Sequence, residues 1–143
     1  MVIGLAGAEF LVRCRQEGVN FGRTLTLGRQ HLVVSPFHLE RLLKRSDCWP
    51  DGLPVQACLE SLAVSPYYAD AFLRALGAEQ VSALDASAYE GADTVHDLGL
   101  PIPSDLQRSF DLVSDGGLLE HVFNVPAALK NAMELVRVGG TSF

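Results

Sequence analysis

The sequence predicts an α/β fold in which a mainly parallel sheet lies between two layers of helices. Three observations predict it. Short β-prone runs alternate with stretches of helical period, and right-handed crossovers join such alternation into parallel sheets. Glycines and polar residues gather just after the β-prone runs, where ligands of open α/β sheets bind. The 143-residue chain is 48% hydrophobic and 20% charged, an ordinary balance for one folded domain with a sizeable core.

Residues 1–23 read as an N-terminal helical segment ahead of an α/β domain at 24–143. Within the first segment, Ala8 to Gln16 sets Phe10, Leu11 and Cys14 at helical spacing before a stop at Gly18. Thr24-Leu25-Thr26-Leu27 alternates like a strand and opens into a loop at Gly28. Phe37 to Arg45 follows Ser35-Pro36 and gathers Leu39, Leu42 and Leu43 on one side, which predicts an amphipathic helix. Residues 46–65 have little period and read as a connection or a partly helical insertion, and with the helix before them they make an inserted helix and loop at about 32–65. Tyr67 to Leu76 predicts the next helix, with Ser65 as cap, Pro66 at the first position and Gly77 as its end.

Val81 to Leu84 is a buried strand that delivers Asp85 to its end, and Thr94-Val95-His96 is a shorter one closed by Gly99 and Pro101-Ile102-Pro103. A strand at 110–114 leads through Asp115-Gly116-Gly117 to a helix at about 126–137. Pro126 suits its first turn, and Leu129, Met133 and Val136 mark its expected buried side. After the Gly139-Gly140 turn only Thr141-Ser142-Phe143 remains. Four strands and a stub are therefore expected, which suggests a truncated chain or a sheet completed by a partner. An open edge would be an association hazard and leaves room for a homo-oligomer formed through it.

Composition excludes several function classes. With 11 basic and 17 acidic side chains the net charge is -6, the wrong sign for a binder of nucleic-acid phosphates. The cluster Arg41, Lys44 and Arg45 reads as a solvated helix face. Cys14, Cys48 and Cys58 are odd in number and lack C-x-x-C spacing, which argues for a reducing compartment and against a disulfide framework or zinc site. His31 and His38 have no companions at metal-ligand spacing, so no metal site is expected. The opening MVIGLAGAEFLVRCRQEG has no basic region before its apolar stretch, and no run approaches the ~20 apolar residues of a membrane span. A cytoplasmic protein away from membranes is the expectation.

Phe110, Asp111 and Val113, then Leu119, Glu120, His121 and Val122, then Gly139 and Gly140, form the pattern F-D-x-V, L-E-H-V, x-G-G. This resembles the fourth strand, following helix and turn of class I S-adenosylmethionine-dependent methyltransferases. The resemblance covers about residues 24–143. It implies a Rossmann-like three-layer sandwich, S-adenosylmethionine as the cofactor, and methyl transfer to an acceptor the sequence does not name.

Read from the residues alone, Asp85 either accepts ribose hydroxyls or shapes an Asp-Ala-Ser turn; the resemblance implies the ribose role. The cofactor loop of the family corresponds to Thr26-Leu27-Gly28-Arg29-Gln30. Gly28 keeps one glycine of the acid-x-Gly-x-Gly pattern, Thr26 stands for the acid and Gln30 for the second glycine. Gly28, Arg29 and Gln30 are thus cofactor-loop candidates with a degenerate pattern, and the insertion at 32–65 accounts for their distance from Asp85. Asp97 and Leu98 are implied to face the adenine, with a turn acid before Gly99 as the alternative. Tyr89-Glu90-Gly91-Ala92 reads as a loop along the cofactor edge.

Asp115, Gly116 and Gly117 match the residues nearest the methyl group, although a helix-entry turn needs the same types. Glu120 and His121 are the candidate general bases, against a structural, hydrogen-bonded role for the histidine. Catalysis in such a site comes chiefly from proximity and orientation. A scaffold or interaction module that keeps the fold and has lost the cofactor is the second reading. Dinucleotide binding is disfavoured, because no G-x-G-x-x-G follows a strand.

Overall fold

The computed structural model describes residues 1–46, residue 60 and residues 68–143. Its sheet has five strands: β2 (Arg23–Leu27), β4 (Gln80–Asp85), β5 (Thr94–Val95), β6 (Phe110–Asp115) and β7 (Val136–Ser142). They run in the order β5-β4-β2-β6-β7, and every pairing is parallel. Around the sheet lie helices α1 (Leu5–Gln16), α2 (Pro36–Arg45), α3 (Asp70–Ala75) and α4 (Val125–Leu135). Counted along the chain from β2, this is the order 3-2-1-4-5 of a Rossmann-like sheet, and it reverses between β2 and β6.

Side-chain alternation along the strands feeds two cores. On one face α1, α2 and α3 bring Leu11, Val12, Leu39, Leu43, Phe72 and Leu73 against Leu112. The other face packs Ala128, Ala132 and Leu135 of α4, with Leu98 and Ile102, against Leu25, Leu27 and Leu84. Ser35 caps α2, its hydroxyl accepting the His38 N–H at 3.4 Å. Asn124 caps α4 by accepting from Ala127 N.

Four expectations need correction. The buried side of α4 is Ala128, Asn131, Ala132 and Leu135, whereas Leu129 and Met133 are 51% and 64% exposed. Two alanines let the helix lie close to the sheet, and Asn131 Nδ2 donates to the carbonyls of Leu98 and Leu100, an attachment that hydrophobic period does not register. Val136 leaves the helix and begins β7. The Gly139-Gly140 turn lies inside that strand: Phe110 pairs with Val136 and Leu112 with Thr141, so Arg137 to Gly140 bulge out. Beyond the turn the supposed stub is a paired strand, extended by Asp115 N–H to the Phe143 carbonyl at 2.8 Å. Of the helix expected at 67–76, Asp70–Ala75 is helical, and Ser65, Pro66 and Tyr67 fall outside the described residues, as does most of the 46–65 connection.

Two short elements had no sequence signal. Strand β1 (Val2–Ile3) pairs in parallel with β3 (His31–Leu32), outside the main sheet. Asp111, 4% exposed, accepts from Asn20 Nδ2 at 3.0 Å and from the Arg23 backbone N–H at 2.7 Å, and it pairs with Arg137. This carboxylate fastens the starts of β2 and β6 to the bulge of β7, at the amino ends of the strands and so opposite their carboxyl rim. Among the described residues no helix is long and apolar enough to cross a membrane.

Candidate functional site

Register brings three strand ends level. Leu27 pairs with Leu84 on one side and with Asp115 on the other, so Gly28, Asp85 and Asp115 share the carboxyl rim where the strand order reverses. Gly28 N–H donates to the Leu84 carbonyl at 2.7 Å, and the residue turns off the strand at φ +70, a conformation that glycine adopts without steric cost. A Cβ on Gly28 would lie 3.4 Å from Asp85 Oδ2. The other carboxylate oxygen, Oδ1, accepts Ser87 N–H at 3.2 Å, so one oxygen shapes the Asp-Ala-Ser turn and the other faces the Gly28 loop.

Across the rim, Asp115 Oδ1 accepts Gly117 N–H at 3.1 Å and Leu118 N–H at 2.7 Å, holding the bend in place. Gly117 sits at φ +112. The opening between the two glycine bends holds side chains of the chain itself. The Met1 thioether occupies the space that a Cβ on Gly28 would take, and Met1 Cγ is 3.9 Å from the corresponding position at Gly117. Gln30 Oε1 fills the equivalent space at Gly116. Only 2% exposed, Gln30 donates from Nε2 to the carbonyls of Leu27 and Gly28, while Oε1 has no hydrogen-bond partner. A glutamine at the second glycine of the loop thus folds back under the loop and supplies its hydrogen bonds.

The remaining candidates are distributed around this rim. Arg29 turns away from it: Nη2 meets Asp70 at 2.8 Å, Nη1 donates to the Gly91 carbonyl at 2.9 Å, and the guanidinium lies 4.7 Å from the centre of the Tyr68 ring. Asp97 is exposed after β5, where Oδ1 accepts Gly99 N–H at 2.8 Å, and Leu98 is buried in the α4-side core. Tyr89 is 93% exposed and makes no wall for the opening. Glu120 and His121 sit on a single 3-10 turn, Leu119–His121, with Glu120 Oε1 and His121 Nε2 3.6 Å apart and both side chains largely exposed. A carboxyl oxygen of Glu120 comes within 3.2 Å of where a Cβ on Gly117 would stand, so Glu120 borders the rim while His121 points to solvent.

Below Asp115, Leu27, Val113, Leu119, Leu129, Met133 and Phe143 line an apolar hollow of about 130 Å³. No cluster of three or more His, Cys, Asp or Glu suited to a metal occurs among the described residues. The Cys14 thiol lies far from the rim, against the α1-side core, where burial raises its pKa. Met1 is the rim residue the sequence did not mark, since nothing in its neighbours signals a contact with residues 28 and 117. Comparison with protein-family models, with curated proteins and with solved structures finds no match for the chain.

Proposed function

We propose that this rim binds S-adenosylmethionine and that the chain is the cofactor domain of a class I-type methyltransferase. The observation that carries the reading is the Asp85 carboxylate beside the open turn of Gly28, at the strand-order reversal and opposite Gly116-Gly117. There Asp85 Oδ2 would accept ribose hydroxyls, and a loop without a side chain at 28 would let a ligand approach the backbone once the Met1 side chain has left it. The bound cofactor would supply an electrophilic methyl group. The chain's own work would be to orient it, with Glu120 at the border of the rim as a candidate general base. A reducing, cytoplasmic setting belongs to the same proposal and suits the free Cys14 thiol.

Specific observations favour a second reading. Gln30 under Gly116 and Met1 over Gly28 fill the opening from both sides, as in a module that kept the architecture and lost the ligand. Titration calorimetry of the whole chain with S-adenosylmethionine and S-adenosylhomocysteine separates the two. The enzyme reading expects measurable heat, with affinity at least about tenfold weaker in Asp85→Ala, a loss of ~1.4 kcal/mol. Absence of heat from the natural chain and from Gln30→Gly alike would leave the scaffold reading.

A further inference from the structure

We infer that the Met1 side chain is an internal competitor for the thioether-bearing arm of the ligand, so that the site regulates its own access. The inference rests on the cofactor reading above. Met1 is an unbranched thioether lodged between two glycine bends, with the Asp85 carboxylate alongside. An adenosyl thioether or sulfonium ligand carries the same unbranched chain on its sulfur, so the two need the same slot. Sulfur and its methyl group are soft and polarizable and pack well against bare backbone.

The attachment of Met1 separates its backbone from its side chain. Its carbonyl accepts His31 N–H at 2.9 Å, and the next link, Val33 N–H to the Ile3 carbonyl, is also 2.9 Å. Ile3, 7% exposed, is built into the α1-side core. The backbone therefore stays in place while the side chain alone swings out, a rotamer change and not an unfolding step. Among the described residues no hydrogen bond fastens the thioether. A ligand that displaces it binds with an apparent affinity reduced by the fraction of molecules in which the slot is open.

The chain has two methionines, which makes the test direct. Methyl-13C methionine labelling gives two signals, and Met133, 64% exposed, serves as the solvent reference. The natural chain and Met1→Ala are both released from the same cleavable tag and titrated with S-adenosylhomocysteine. Expected are a Met1 methyl with cross-peaks to Gly28 and Gly117, loss of those cross-peaks on titration, and affinity about tenfold tighter in Met1→Ala. A Met1 methyl at the solvent position before any ligand is added overturns the competitor. So does ligand binding that leaves the Met1 signal in place, or equal affinity of the two chains. A packed Met1 methyl with no binding by either chain overturns the cofactor reading itself, and the competitor with it.

Discussion

Gly116 has no room for a methyl group, because the Gln30 carboxamide already occupies it. Gly116→Ala is expected to cost about 1–3 kcal/mol in urea unfolding, the usual cost of overpacking. The same substitution in a Gln30→Gly background should cost less than half as much, and strictly additive effects would refute the contact. Sequence reading reached these positions unequally. Gly28, Asp85 and Gly116-Gly117 were legible because each punctuates the end of an apolar strand, and their meeting at one rim follows from parallel register. Gln30 was legible as a departure from a pattern, but its direction was not, since a side chain's choice between solvent and a buried slot depends on the far glycine that vacates the slot. Met1 was illegible altogether: its contacts lie 27 or more residues away in sequence and follow no period.

At the scale of elements, Asp111 holds more than its strand. Its carboxylate binds Asn20, the first amide of β2 and the β7 bulge, so Asp111→Ala should lower stability by about 1–3 kcal/mol, leaving the part-buried Arg23 N–H and the Asn20 amide without their acceptor. Arg137→Ala should cost roughly 0–1 kcal/mol, because that side chain is half exposed and its loss can be met by water. Equal effects in thermal unfolding would contradict this asymmetry. Strands β2, β4, β5 and β6 and helices α1, α2 and α4 were readable from period and caps, with ends within about three residues of those observed, whereas β1, β3 and β7 were not. The face of α4 was not: Leu129 and Met133 compete with Ala128 and Ala132 for the buried side, and a buried asparagine that ties down the 98–100 loop decides the contest.

For the molecule as a whole, two cores share one sheet, and that sharing should make unfolding a single event. Leu43→Ala and Leu135→Ala empty fully buried positions on opposite faces and are each expected to cost about 2–5 kcal/mol. Because the sheet separates them, their costs should add within roughly 0.5 kcal/mol. Near-ultraviolet and far-ultraviolet circular dichroism should report one common transition in each variant, and a biphasic curve in either would show that the faces melt separately. The fold class was legible at this scale because alternation of strand and helix leaves few ways to connect parallel strands. The sheet's borders carry a consequence of their own. One margin offers β5, two residues long, and the other offers β7, pushed out of line from Arg137 to Gly140. Among the described residues neither margin presents a long row of consecutive amides for a neighbouring molecule to zip onto, a geometry that disfavours fibril-like stacking.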